Sequence, residues 1–94
     1  MPAVVGLLTA ELRIDGSNSL KDKRQVLKSV IAHLRKEFNV SVAEVDSHDV
    51  WRRATIAVAM VATDGRYVNV VLDKVVDHIE SDPRVDLGHY EIEL

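Results

Sequence analysis

Two short stretches of this sequence carry the side chains best suited to binding an anion. One is the start of a predicted helix, with Ser19, Lys21, Lys23 and Arg24, and the other is the run Trp-Arg-Arg at residues 51–53. Helix N-terminal amides beside lysine and arginine can hold a phosphate, and an indole beside an arginine can stack on a base. The two stretches therefore suggest a site for nucleic acid or another anion. The alternative is an ordinary serine-capped helix and a tryptophan packed against the sheet.

Basic residues continue along the same predicted helix. Lys21, Lys28 and Arg35 are spaced by seven residues, so they form a stripe beside its apolar face. The segment 20–36 has a net charge of +5, and because the whole chain carries −3, the remainder carries −8. The candidate residues for binding nucleic acid or an anion are Ser19, Lys21, Lys23, Arg24, Lys28, Arg35, Trp51, Arg52 and Arg53. A solvated helix face is the alternative interpretation of such a charge run.

Other chemistry has weaker support. The absence of cysteine excludes disulfides, a thiol nucleophile and thiolate metal sites. The four histidines fall on four different predicted elements, so we expect neither a metal site nor a cofactor. His48, between Asp46 and Asp49, could act as a general base, but a histidine in an acidic loop is more often a solvated polar residue. We therefore predict that the protein is not an enzyme.

The elements that must position these residues follow from the spacing of apolar side chains. Ser19 is the expected N-cap of the first helix, and Asn39 its left-handed stop. The predicted elements are a strand at 3–14, a helix at 20–38, a strand at 40–46, a strand that begins at Trp51 or Arg53 and ends at Thr63, a helix at 67–81 and a strand at 85–94. This βαββαβ order predicts an α+β, ferredoxin-like two-layer sandwich in one domain over residues 1–94, with a four-stranded antiparallel sheet and both helices on one face.

That topology also predicts which residues meet. The end of the first strand, the start of the first helix, the second hairpin loop and the exit of the second helix should lie at one end of the sheet. Arg13 should then lie near Trp51 and Arg53, because the first and third strands are expected to be antiparallel neighbours.

The sheet face away from the helices has an unusually apolar centre. The alternation places on it the six residues Val5, Leu7, Thr9, Ala57, Ala59 and Val61. A solvated sheet face is normally more polar, and exposed apolar patches usually mark association, so we predict a homodimer or larger assembly. The alternative is an open surface of small residues that tolerates water. Because the central positions lack aromatic side chains, RNA binding by stacking on this face is disfavoured.

Three segments resemble one bacterial family. They are Ser-Leu-Lys-Asp-Lys-Arg at 19–24, Phe-Asn-Val-Ser-Val-Ala-Glu at 38–44 and Asp-Val-Trp-Arg-Arg-Ala at 49–54. In these segments, and over essentially its whole length, the chain resembles the YlxP-like family of unknown function. The resemblance implies a small ferredoxin-like domain with no established activity, often encoded beside translation and ribosome-maturation genes.

Composition is that of an ordinary globular domain. Of the 94 residues, 47% are hydrophobic and 29% charged, and no segment approaches the ~20 apolar residues that span a bilayer. Residues 1–4 show no basic stretch before a hydrophobic core, so we expect a cytoplasmic protein without a membrane partner.

The leading functional hypothesis is a binding module for RNA or a ribonucleoprotein, and the alternative is a homodimeric protein-interaction or regulatory domain. A small enzyme acting through the His48 loop ranks last.

Overall fold

The computed structural model describes residues 2–94 and confirms the predicted βαββαβ order. Its elements are β1 (Val4–Arg13), α1 (Leu20–Glu37), β2 (Ser41–Asp46), β3 (Arg53–Ala62), α2 (Gly65–Glu80) and β4 (Asp86–Glu93). The four strands form one antiparallel sheet in the order β2-β3-β1-β4, which is the ferredoxin-like arrangement. The prediction of one domain over residues 1–94 includes Met1, which lies outside the described residues.

The core lies between the sheet and the two helices. On β1 the side chains of Leu8, Ala10 and Leu12 are buried, while the residues between them are exposed. β3 alternates in a similar way, with Ile56 and Val58 buried and Thr55, Ala57 and Ala59 half-buried on the other face, so the helices cover one face of the sheet. The helical residues buried against that face are Leu27, Val30, Leu34, Val68, Leu72, Val75, Val76 and Ile79. The predicted two-layer architecture and the predicted phases of both central strands are confirmed.

Gly6 permits the closest contact between the two layers. A Cβ atom at this position would overlap the Val68 side chain and lie 2.9 Å from Leu72 Cδ1. α2 therefore packs directly on the backbone of β1, and a larger residue at position 6 would push the helix away from the sheet.

The start of α1 agrees with the prediction, and its end does not. Ser19 is the N-cap, and its Oγ accepts a hydrogen bond from the Asp22 amide at 3.1 Å. The predicted left-handed stop at Asn39 is wrong, because Ser47 is the one non-glycine residue with positive φ within residues 2–94. The helix ends instead at an extended Phe38, whose ring packs on the core edge-on to the His78 ring. The chain thus passes directly into β2 without a left-handed residue.

Two local irregularities modify the sheet. The β1–β4 pairing shifts register between Ala10 and Leu12, opposite Gly88, where the sequence predicts a bulge or bend. The β2–β3 pairing shifts between Glu44 and Asp46, which the sequence pattern does not indicate. Neither α1 nor α2, the two helices within residues 2–94, combines the length and apolar character needed to cross a membrane.

Candidate functional site

A groove runs between α1 and the edge strand β2. Its volume is about 520 Å³, and we call it the basic groove. Three cations, Arg24, Lys28 and Arg35, line it from α1. Its other lining residues are Leu27, Ile31, Ala32, Val42, Ala43 and Glu44. The basic groove therefore combines a cationic wall with a largely apolar floor.

The cations on this side of α1 have no acidic partner in the described part of the chain. Lys21, Arg24, Lys28 and Arg35, here called the basic stripe, are all exposed. Within residues 2–94, none of their side chains lies within 4.0 Å of a carboxylate oxygen, and only the Arg35 side chain makes a hydrogen bond, from Nη2 to the Val42 carbonyl at 2.9 Å. At 1.5 Å per residue, the stripe extends about 21 Å along the helix.

The structure removes Lys23 from the residues predicted to bind nucleic acid or an anion. Its side chain is 1% exposed, and Nζ donates hydrogen bonds to the carbonyls of Ser47 and His48. The same ammonium lies 2.9 Å from Glu44 Oε2. Lys23 therefore holds the β2–β3 loop from inside the protein and is not part of an anion-binding surface.

The sequence contains a signal for this burial. Lys23 lies four, seven and eleven residues before Leu27, Val30 and Leu34, so it occupies the apolar face of α1. A count of charges along the sequence treats every lysine as a surface residue and ignores which face of the helix each one occupies. Glu44 supplies the compensating carboxylate from β2, which only the fold brings within reach.

The remaining predicted residues divide between two places. Ser19 uses its hydroxyl for the helix cap, and Arg52 donates from Nε to the Ser17 carbonyl at 2.9 Å, joining the hairpin loop to the β1–α1 turn. Trp51 lies in that loop with 53% of its surface exposed, so about half of it is open to solvent. Arg53 pairs in register with Arg13 on the face away from the helices. The predicted gathering at one end of the sheet is confirmed, but it places Arg53 and the basic stripe on opposite sides of the sheet.

The predicted self-association face is continuous and open. Val5 pairs with Val61, Leu7 with Ala59, and Thr9 with Ala57, so the six residues form three adjacent rows on β1 and β3. Val5, Leu7 and Val61 are 60%, 36% and 62% exposed, respectively. The apolar patch therefore exists on the isolated chain, and its use in association stays a prediction.

Acidic and histidine side chains show little organisation. Among residues 2–94, no three histidine, aspartate or glutamate side chains lie close enough together to hold a metal ion. His48 and Asp49 are exposed, and no hydrogen bond orients the His48 ring in the part of the chain that the structure describes.

One ion pair stabilises the exit of α2. Arg84 donates to both carboxylate oxygens of Asp82, at 3.0 and 2.7 Å, and to Ser29 Oγ on α1 at 3.1 Å. The hydrogen bonds from Arg84 lower the pKa of the Asp82 carboxyl, and partial burial opposes them only in part. This pair fixes the connection between α2 and β4 against α1.

Comparison with known proteins gives a consistent family and no activity. Residues 5–92 match a family described as "Protein of unknown function (DUF503)". The "Uncharacterized protein YlxP" of Bacillus subtilis (strain 168) is 31% identical over 83 residues, which cover 88% of this chain and 90% of that protein. The predicted resemblance to YlxP-like proteins is confirmed.

Proposed function

We propose that this chain, which belongs to the DUF503 family of proteins of unknown function, is a non-enzymatic, cytoplasmic RNA-binding module that contacts phosphates through its basic stripe. One observation carries the proposal. Four exposed cations follow one side of α1, and within residues 2–94 none has a carboxylate within 4.0 Å, although the rest of the chain is acidic.

This arrangement is unfavourable for the free protein. Arg24 and Lys28 are four residues apart on the helix, and like charges at that spacing cost a few tenths of a kcal/mol. A bound polyanion removes the repulsion and releases its own counterions. The acidic remainder of the chain repels a polyanion elsewhere, which directs it to α1.

The size and shape of the site favour RNA over a single small anion. A stripe of about 21 Å spans several phosphates of one strand. The apolar floor formed by Leu27 and Ile31 lies beside the cations, where a ribose or a base can pack. The location of related genes beside ribosome-maturation genes, implied by the family resemblance, agrees with RNA.

Charge reversal on each helix tests the proposal. The measurement is filter binding of bulk ribosomal RNA at low salt. The double variant Arg24→Glu, Lys28→Glu should bind this RNA about 10-fold or more weakly, because two phosphate contacts become repulsive. The matched control is Arg66→Glu with Lys74→Glu, which makes the same charge change at exposed positions on α2. It should lower affinity by about 2-fold or less, since only long-range electrostatics change. Equal losses for the two variants, or no binding by the wild type, would contradict the proposal.

A second candidate function is self-association through the open sheet face. It is supported by the exposure of Val5, Leu7 and Val61 in adjacent rows. Sedimentation at micromolar concentration should show a dimer for the wild type and a monomer for Leu7→Asp. Val70→Asp is the matched control, because Val70 is a 49% exposed apolar residue on α2, and it should stay dimeric. A monomeric wild type would remove this candidate while leaving RNA binding by α1 unaffected.

A further inference from the structure

A second concave site opens on the sheet face away from the helices. Its volume is about 320 Å³, within the ~300–1,000 Å³ range of small-molecule sites. The polar residues that line it are Glu11, Arg13, Asp46, Ser47, Arg53 and Thr55, and we call it the arginine pocket. The Glu11–Thr55 row of the pocket follows the Thr9–Ala57 row of the apolar patch, so the pocket adjoins that end of the patch and lies about 20 Å from the Val5 end.

Three departures from regular backbone geometry border the arginine pocket. The register shift in β2–β3 adjoins Asp46, and the one in β1–β4 lies between Glu11 and Gly88. Ser47 has φ 63°, a conformation uncommon for a residue with a side chain. Bulges re-aim side chains and are frequent beside binding sites. The buried Lys23 ammonium holds the Ser47 carbonyl, so this rim of the pocket is fixed in advance.

The two arginines of the pocket repel each other. Arg13 and Arg53 are direct cross-strand partners, and like charges in that position are destabilising. Arg13 has exposed contacts with Asp15 at 3.3 Å and Asp86 at 4.0 Å, whereas Arg53 has no carboxylate within 4.0 Å among residues 2–94. Two arginines at paired positions of neighbouring strands offer planar donors that match a carboxylate or a phosphate.

The pocket also carries negative charge that neither arginine neutralises. Glu11 and Asp46 line it, and neither pairs with Arg13 or Arg53 within the described residues. A purely anionic ligand would meet these two carboxylates unfavourably. A ligand that carries both an anionic group and an ammonium group would satisfy both halves of the pocket.

We propose that the arginine pocket binds a small zwitterion, with its anionic group held by Arg13 and Arg53 and its ammonium group facing Glu11 and Asp46. This activity is separate from the proposed RNA binding, because the pocket lies on the other side of the sheet and uses none of the basic stripe.

NMR titration of the ¹⁵N-labelled protein tests this assignment. The zwitterionic probes are O-phosphoethanolamine and γ-aminobutyrate, which separate a phosphate from a carboxylate as the anionic group. The controls carry charge of one sign only: inorganic phosphate is anionic and ethanolamine is cationic. At least one zwitterion should cause saturable shifts of the Thr55 and Gly88 amides, with affinity about 10-fold higher than either control.

Variants connect those shifts to the pocket. Arg53→Gln should weaken zwitterion binding about 10-fold, and Arg53→Lys, which keeps the charge but not the planar fork, should also weaken it. Arg66→Gln, at the opposite end of the fold, should leave it unchanged. Glu11→Gln should reduce the affinity of the bound zwitterion toward that of inorganic phosphate, because the ammonium group loses a carboxylate partner. The proposal is overturned if neither zwitterion gives saturable shifts at about 10 mM, if inorganic phosphate binds equally well, or if Arg53→Gln binds like the wild type.

Discussion

Lys23 and its neighbours Lys21 and Arg24 occupy adjacent places in the sequence and opposite environments in the fold. The Lys23 ammonium is enclosed by two carbonyl oxygens and the Glu44 carboxylate, whereas Lys21 and Arg24 are exposed and have no acidic partner among the residues that the structure describes. One or two residues of helix, a fraction of a turn, separate a structural cation from cations available to a ligand. The net charge of a segment is therefore a poor guide to the charge that a partner meets, and the helical phase of each residue decides its role.

The largest expected difference between the two environments is in stability. Lys23→Met should lower the free energy of unfolding by about 3–5 kcal/mol, because it leaves the partly buried Glu44 carboxylate and two carbonyls without their cation. Lys21→Met, at an exposed position, should change it by about 0.5 kcal/mol or less. Urea denaturation measures both. Similar values for the two variants would contradict the assignment of Lys23 as a structural residue.

A double substitution sharpens the same comparison. Combining Lys23→Met with Glu44→Leu should recover part of the lost stability, because the uncompensated carboxylate is removed with its cation. Additive losses in the double variant would show that the Lys23–Glu44 contact is not the source of the effect.

A smaller loss of stability is expected when the Asp82–Arg84 ion pair is broken. Asp82→Asn should lower stability at pH 7 by about 0.5–1 kcal/mol, since solvent screens the exposed Arg84 side chain. The Asp82 pKa is lowered in the folded protein, so the ionised carboxylate contributes stability above its ordinary value of 3.8. The difference between wild type and variant should shrink as pH falls through the lowered pKa. A difference that persists unchanged at lower pH would exclude this electrostatic origin.

The smallest expected change in stability is a gain, in contrast to the losses predicted above. Lys28→Gln should raise stability by about 0.2–0.5 kcal/mol, because it relieves repulsion from Arg24 one turn away. Thermal unfolding at low salt is the appropriate measurement, since added salt screens the repulsion. A loss of stability would reveal a structural contact of Lys28 and would weaken the contrast with Lys23.

Most of the fold could be predicted because its main determinants are local. Alternating apolar residues in β1 and β3 and the helical spacing of α1 indicate strand phase and helix face directly. The left-handed stop predicted at Asn39 is wrong because the packing of Phe38 on the core, a tertiary contact, decides how α1 ends.

The spacing of residues along the sequence predicts less of the candidate site than of the fold. The partnership of Lys23 with Glu44 joins residues 21 positions apart, and the shift between Glu44 and Asp46 depends on how β2 pairs with β3. The pairing of Arg13 with Arg53 followed from topology, but the pocket around it depends on two bulges and a left-handed serine.

The most direct test of the basic stripe is the salt dependence of binding to single-stranded ribosomal RNA segments. Four phosphate contacts predict that the logarithm of the association constant falls with the logarithm of salt concentration with a slope of about −3. Arg24→Gln with Lys28→Gln should bring the slope to about −1.4, because two of the four contacts are lost. A slope near zero for the wild type, or the same slope for the variant, would contradict the proposal that these cations bind RNA.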